Sequence, residues 1–218
     1  DLTISGEGAL YVTGSYNDGI SSKDELVIES GNITVTAVDD GIRGKDSIVV
    51  EDGAITVTAG GDGLKSDNEE EGANGTVTID GGDLSIASGD DGIHADGSVT
   101  VNDGDVRITQ SVEGVEGGVI TINDGSTWVV SSDDGVNVSG DGDTSTTGGG
   151  FGGPPGATTA ATAYTGDFRL HINGGTLVVD AEGDGLDANG AIDMTGGVVI
   201  VNGPTQKGNG ALDYDAGF

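Results

Sequence analysis

An acidic residue, a glycine and an aliphatic residue recur together seven times in this chain, at nearly one spacing. The copies are Asp18-Gly19-Ile20, Asp40-Gly41-Ile42, Asp62-Gly63-Leu64, Asp91-Gly92-Ile93, Glu113-Gly114-Val115, Asp134-Gly135-Val136 and Asp184-Gly185-Leu186. Their acidic residues are 22, 22, 29, 22, 21 and 50 positions apart. A period of 22 with two interruptions marks a repeat architecture, in which each unit is stable only against its neighbours. It also stacks carboxylate on carboxylate, so charge is the second problem the fold must solve.

A second marker keeps the same period. Gly31, Gly53, Gly82, Gly104, Gly125, Gly175 and Gly197 each precede a β-rich run, such as Ile33-Thr34-Val35 or Ile55-Thr56-Val57. Another run ends just before each of these glycines, such as Leu26-Val27-Ile28 or Ile48-Val49-Val50. Each period thus holds three short alternating segments with Gly, Asp and Asn at the corners.

Twenty-two residues are too few for a βαβ unit, and no segment has helical periodicity. A four-stranded propeller blade needs about 40 to 45 residues. Three short strands and three turns fit one coil of an all-β, parallel β-helix solenoid, with about seven coils stacked at roughly 4.8 Å. The sequence does not carry the handedness; right-handed is expected by analogy. Leu26 and Ile28 should lie under Ile48 and Val50, and Ile33 and Val35 under Ile55 and Val57. The 44 glycines suit corners that need positive φ or close backbone approach. The whole of 1–218 reads as a single domain, with a Gly/Thr-rich insertion at about 141–167 that accounts for the 50-residue step. A smaller acidic loop follows Asp67. The chain opens within a strand-like run, Leu2-Thr3-Ile4, as a processed or excised segment would.

Thirty-eight acidic residues face seven Lys plus Arg, a net charge of −31. Nucleic acid is disfavoured, because phosphate binding needs a basic footprint. Anionic membrane surfaces are disfavoured likewise, and no apolar stretch approaches the ~20 residues of a membrane-inserted span. A solvated acidic surface and a divalent-cation site remain open.

Two carboxylates ~5 Å apart repel by roughly 1 kcal/mol in water and about 3 kcal/mol at an effective dielectric of 20. Asp40, Asp62 and Asp91 should be such neighbours, as should Asp134 and Asp184. The doublets Asp39-Asp40, Asp90-Asp91 and Asp133-Asp134 add to the repulsion, and Asp24, Asp46, Asp67 and Asp96 form a second acidic file. Ca²⁺, which takes six to eight oxygens, would relieve it. There is no cysteine, and His94 and His171 lie in different files, so Zn or Cu is not expected. The candidate metal ligands are Asp39, Asp40, Asp62, Asp90, Asp91, Asp133, Asp134, Asn137, Asp184 and Asp187.

The residue after each corner aliphatic should point outward: Ser21, Arg43, Lys65, His94, Glu116, Asn137 and Asp187. Arg43, Lys65 and His94 could form a charge-balancing ladder with Asp39, Asp46 or Asp67, or a groove for an anionic, polyhydroxylated ligand. A second outward file holds Thr34, Thr56, Ser85, Arg107, Trp128, Val178 and Ile200. Trp128 on a flat sheet is either a sugar-stacking platform or a residue that the long insertion covers. The sequons at Asn32, Asn74 and Asn137 are the number that chance supplies in a Thr-rich chain.

The runs Tyr16-Asn17-Asp18-Gly19-Ile20, DDGIRGKDS (39–47), GGDGLKSDN (60–68) and GPTQKGNGALDYDAGF (203–218) resemble the carbohydrate-binding β-helix domain family, which includes a clostridial cellulose- and acid-sugar-binding protein. The resemblance covers nearly the whole chain. It implies a right-handed parallel β-helix, bound calcium, an extracellular or cell-surface location and affinity for polygalacturonate or cellulose. That fold is similar to the family 9 polysaccharide (pectate) lyases, whose calcium site uses one Asp and then Asp-Asp-x-x-Asp a coil later, with a Lys as base. Only fragments of that set occur here: Asp62 with Asp90-Asp91 and then His94, Glu113 with Asp133-Asp134 and then Asn137, and Asp134 with Asp184 and then Asp187. Lys65 and Lys207 are the bases to test.

Three functions follow from these features. The first is a non-catalytic, calcium-dependent carbohydrate-binding protein. The second is a structural surface protein that forms a homo-oligomer or an end-to-end stacked filament. The third is a polysaccharide lyase.

Overall fold

The computed structural model describes residues 1–68, 75–139 and 168–215. The expected insertion at 141–167, the acidic residues Glu69 to Glu71 and the Asn74 sequon fall outside them. The described residues are all-β, with parallel pairing in every ladder and no helix.

The strands fall into three files. The first comprises Ile20–Ser22, Ile42–Gly44, Leu64–Ser66, the beginnings of Ile93–Val101 and Val115–Ile122, then Val136–Val138, Leu186–Ala188 and Leu212–Tyr214. The second comprises Leu2–Ile4, Glu25–Ile28, Ser47–Val50, Thr76–Ile79, the ends of those two long strands, Arg169–Ile172 and Ala191–Met194. Because the two long strands serve both files, the files merge into one 14-stranded sheet. The third file is an eight-stranded sheet: Ala9–Gly14, Asn32–Ala37, Ala54–Thr58, Asp83–Ala87, Asp105–Gln110, Ser126–Ser131, Thr176–Ala181 and Val198–Asn202. Each strand pairs with its counterpart one period on, an arrangement that fits a β-helix or solenoid-like fold.

There are eight rungs in the third file where the motif count gives seven. The first rung lacks the Asp-Gly-aliphatic corner, so its strands leave no mark in that motif. At the far end Leu212 pairs with Leu186, and Gly210 takes the place of the acidic residue.

The motif aliphatics point inward. Ile20, Ile42, Leu64, Ile93, Val115, Val136 and Leu186 lie in one register column and are buried. The second column runs Leu26, Ile48, Val77, Val99, Ile120, Leu170 and Ile192. The third runs Ile33, Ile55, Leu84, Val106, Thr127, Leu177 and Val199. Full burial of each large aliphatic contributes about 1.5 to 3 kcal/mol. The expected stacking of Leu26 and Ile28 on Ile48 and Val50 is present, as is that of Ile33 and Val35 on Ile55 and Val57.

The two glycine markers differ in their physical cause. Those of the second marker adopt positive φ, as at Gly53 (127°), which L side chains rarely tolerate. Those of the acidic motif are needed for close approach. A Cβ on Gly41 would lie 2.7 Å from the Gly63 carbonyl oxygen and closer still to the Val57 side chain.

At the corner after the second file, amides stack. Asn102 donates to Asp80 Oδ1 at 2.7 Å, Asn123 to Asn102 at 2.8 Å, Asn173 to Asn123 at 2.9 Å, and the Thr195 hydroxyl to Asn173 at 2.9 Å. Each rung thereby satisfies a corner amide that would otherwise depend on water.

Two substitutions test this packing by chemical denaturation. Gly41→Ala forces the Val57 side chain and a carbonyl apart and should lower stability by about 2 kcal/mol, whereas Gly8→Ala, with nothing near its Cβ, should stay within about 0.5 kcal/mol. The Thr127 hydroxyl is buried in an aliphatic column and finds no hydrogen-bond partner among the described residues. Thr127→Val should therefore raise stability by about 1 kcal/mol.

Candidate functional site

The corners are built by two sets of hydrogen bonds running in opposite directions. Each motif glycine donates its N–H to the acidic residue's carbonyl one rung on: Gly19 to Asp40 at 2.9 Å, Gly41 to Asp62 at 2.8 Å, Gly63 to Asp91 at 2.8 Å. In return the Asp62 N–H donates to Asp40 Oδ1 at 3.0 Å, the Asp91 N–H to Asp62 Oδ1 at 2.9 Å, and the Asp184 N–H to Asp134 Oδ1 at 2.5 Å. The Gly210 N–H closes the series on Asp184 Oδ1. One oxygen each of Asp40, Asp62, Asp134 and Asp184 is therefore fixed by the backbone, and these bonds offset part of the repulsion expected from stacking. The doublets split: Asp40 and Asp91 are buried, whereas Asp39, Asp90 and Asp133 are exposed.

The outward file is in register throughout: Ser21, Arg43, Lys65, His94, Glu116, Asn137, Asp187 and finally Asp213. Its three cations are engaged by carboxylates of the chain itself. Arg43 holds Asp67 through two nitrogens, at 3.1 and 2.6 Å, and lies 3.9 Å from Asp18. Lys65 Nζ donates to Asp62 Oδ2 at 2.5 Å, a partner outside the three anticipated from the sequence. His94 sits among Asp91 (3.1 Å), Glu116 (2.9 Å) and Asp96 (3.1 Å). The second acidic file is also redrawn. The pairing places Asn68, not Asp67, after Asp46, and the Asn68 amide donates to Asp46 Oδ1 at 2.7 Å. Asp67 is thereby free to meet Arg43.

Past His94 the file carries no further cation. Here Glu113, Glu116, Asp133, Asp134, Asn137, Ser139, Asp184, Asp187, Asn189 and Asn209 line a cleft of about 420 Å³. No Lys, Arg or His is among these lining residues. Carboxylate oxygens of Asp134, Asp184 and Asp187 lie within 4.8 Å of one another, and so do those of Asp91, Glu113 and Glu116. A third such group, Asp62, Asp91 and His94, already has Lys65 on Asp62 and His94 on Asp91. Glu113 accepts from the Asn137 amide at 2.7 Å, and Glu116 accepts from the Ser139 hydroxyl at 2.7 Å.

Crowded acids and scarce cations shape the protonation states. Burial, then Asp134, Asp184, Asp213 and Asp215, pushes Asp187 up to about 7. Burial, opposed by the Asp184 backbone bond and reinforced by Asp133 and Asp184, lifts Asp134 to about 6. Glu113 rises to about 8 through burial and the Glu116, Asp91 and Asp134 charges, against the Asn137 hydrogen bond. At the boundary, burial works against the His94 charge, but hydrogen bonds to Asp91 and Glu116 outweigh it and raise His94 to about 11. The neighbouring carboxylates diverge: burial raises Asp91, while hydrogen bonds from His94 and Asp91 lower Glu116 despite its burial. Burial also lowers Lys65's affinity for its proton, but the bond to Asp62 prevails and holds the amine protonated above its ordinary range.

Of the residues singled out from the sequence, Asp133, Asp134, Asn137, Asp184 and Asp187 come together in the cleft. Asp40, Asp62 and Asp91 stack beside Arg43, Lys65 and His94, and Asp39 and Asp90 face solvent. Trp128 belongs to the third file, with Arg107 stacked 6.0 Å from its ring centroid. Sequence reasoning matched Glu113 only to a fragment of the lyase-type calcium set, with Asp133, Asp134 and Asn137, and did not place Glu116, Ser139, Asn189 or Asn209 in a site. The available signal was Glu113 itself, a glutamate where the other corners carry aspartate and long enough to reach the outward file.

The model of the carbohydrate-binding domain-containing protein family matches residues 1–153, well over half of the 218. The chain belongs to this family. No curated protein and no solved structure matches it. Membership gives carbohydrate as the ligand class and favours a binding module over a catalyst. The matched span includes Arg43, Lys65, His94 and the Glu113-to-Asn137 side of the cleft, whereas Asp184 and Asp187 lie beyond it.

The cleft makes metal-free stability depend on pH with a definite sign. A carboxyl raised in the folded state binds more protons there than in the unfolded chain, so stability falls as pH climbs from the ordinary carboxyl value through the folded one. His94 acts in the same sense between its ordinary value and about 11. In chelator, the melting temperature should decline from about pH 4 to pH 8, and Asp187→Asn should flatten the decline between pH 5 and about pH 7.

Proposed function

We propose that this chain is a non-catalytic, calcium-dependent, extracellular carbohydrate-binding protein built as a right-handed parallel β-helix, with an acidic or cellulosic polysaccharide as its ligand. The observation that carries the calcium reading is the division of the outward file. Up to His94 three consecutive rungs each carry a cation held by carboxylates: Arg43 by Asp67 and Asp18, Lys65 by Asp62, and His94 by Asp91. Beyond it the cleft gathers six carboxylates and no cation among its lining residues. The donor set is entirely oxygen, from carboxylates, the Asn137 and Asn209 amides and the Ser139 hydroxyl, which is the set Ca²⁺ prefers and Zn²⁺ or Cu²⁺ does not. Two oxygens bound to one Ca²⁺ at about 2.4 Å lie no more than about 4.8 Å apart, the spacing found among Asp134, Asp184 and Asp187.

When bound, calcium would supply positive charge and open coordination positions. Asp134, Asp184 and Asp187 would hold it from one side, with Glu113, Asp133 and Asn137 within the same cleft. A uronate carboxylate could then approach a surface that otherwise repels it. Arg43, Lys65 and His94, anticipated as ligand contacts, contribute in this reading by neutralising their own half of the file. Lyase chemistry is disfavoured because Lys65 is bound to Asp62 and stays protonated, so it is a poor proton acceptor. Lys207 is exposed and does not line the cleft.

Calorimetric titration with CaCl₂ should show saturable binding that Asp134→Asn combined with Asp187→Asn abolishes. Calcium at about 100 times its Kd should add about 2.7 kcal/mol of stability. Retention on polygalacturonate should require calcium and release no unsaturated uronate. Equal retention in chelator would overturn the calcium bridge. Loss of all glycan retention, with calcium binding intact, would favour the structural filament protein.

A further inference from the structure

We infer that the outer face of the third strand file around Trp128 is a second glycan platform, independent of metal, for a neutral polysaccharide chain lying across the strands. This deepens the carbohydrate-binding reading above and rests on it, but at a different surface and for a different sugar chemistry.

The ring has apolar neighbours in strict register. Trp128 pairs with Val178, and Val178 with Ile200, so three outward apolar side chains stand on consecutive rungs. Trp128 is 38% exposed and Ile200 47% exposed, and Val198 beside it is 53% exposed. At about 4.8 Å per rung the strip is about 10 Å long, enough for a short run of sugar rings laid along the stacking axis. Every carbon-bound hydrogen face of a pyranose is apolar while its rim is hydroxylated. A flat strip with a polar border suits that amphipathic shape.

Polar groups border the strip. Arg107 lies 6.0 Å over the indole from the preceding rung and is 52% exposed, while its guanidinium holds Asp105 at 3.1 Å. Together the guanidinium and Asp105 Oδ2 present N–H donors and a carboxylate acceptor beside the ring, the pair needed to bind vicinal hydroxyls. Asp180, outward and exposed, sits across from Val130 on the other flank. Charge then chooses the sugar. Asp105 and Asp180 border the strip, and Arg107 is the sole basic residue in this eight-stranded sheet. A polyuronate would meet net repulsion here, whereas a neutral glucan would not. The cleft and the strip therefore divide acidic from neutral sugars.

Trp128 is the chain's one tryptophan, so its fluorescence reports on this site alone. Titration with cellohexaose in EDTA should give a saturable change in emission. In affinity electrophoresis through hydroxyethylcellulose, Trp128→Ala should weaken retention by about tenfold, the size of one lost stacking contact, with its circular dichroism unchanged. Arg107→Ala, which keeps the ring, should weaken it less. Trp128→Ala should keep its calcium-dependent retention on polygalacturonate. A cellohexaose response without any polygalacturonate retention would support this platform and sink only the calcium reading. Silent emission at all cellohexaose concentrations, or full hydroxyethylcellulose retention by folded Trp128→Ala, would overturn it.

Discussion

At Asp40, Asp62, Asp134 and Asp184 the stack depends on the hydrogen bond between a backbone N–H of one rung and the aspartate carboxylate of the rung before. Stacking parallel strands at about 4.8 Å forces like residues on top of one another. For Ile42 on Leu64 this is favourable. For Asp40 on Asp62 it sets two negative charges at a distance where repulsion reaches a few kcal/mol. The Asp62 N–H at 3.0 Å from Asp40 Oδ1 turns that contact into one of opposite partial charges, since charge-assisted bonds are the stronger kind. The motif glycine makes the approach possible, because any Cβ would hold the corners apart. The Asp-Gly-aliphatic triplet is thus a single device: an acceptor, a gap and a core residue.

That device engages only one oxygen at each of these four corners, and the rest of the charge is managed differently along the chain. Arg43, Lys65 and His94 are spaced one per rung, each beside a buried or half-buried aspartate. Glu116, which still meets His94, is followed in the same column by Asn137 and Asp187, and no cation is among the residues lining the cleft. The change takes place across one rung, where His94 bridges Asp91 and Glu116. Two otherwise equivalent halves of one repeat thereby differ in kind: one is internally compensated, and the other gathers uncompensated oxygens in a concave surface.

Much of the fold was legible because its causes are periodic. The three strand files, the inward columns, the outward file from Ser21 to Asp187 and the register of Trp128 with Thr56 all follow from counting by 22 and correcting at the two interruptions. What escaped the sequence depended on side-chain reach. Nothing in the spacing shows that Lys65 turns to Asp62 and not to Asp67, or that Asn68 slips into the column of Asp46. Glu113 occupies an ordinary corner by count, yet its extra methylene carries its carboxyl out to Asn137. The backbone bonds to the aspartates are hidden for a similar reason: the spacing of the carboxylates says nothing of the N–H groups that lie between them. The first rung escaped because it has strands without the corner triplet.

The amide column from Asp80 to Thr195 has a direction. Every donor in it points toward the lower-numbered rung, through Asn102, Asn123 and Asn173, and the series terminates on an anion. Aligned hydrogen-bond dipoles polarise one another. The column is therefore a vector, with an electrically distinct head at Asp80 and tail at Thr195. A duplicated or deleted period would change its length but not its sense, since each asparagine presents the same donor below and the same acceptor above. Rungs in this chain are interchangeable parts along that axis, and the axis itself cannot be reversed.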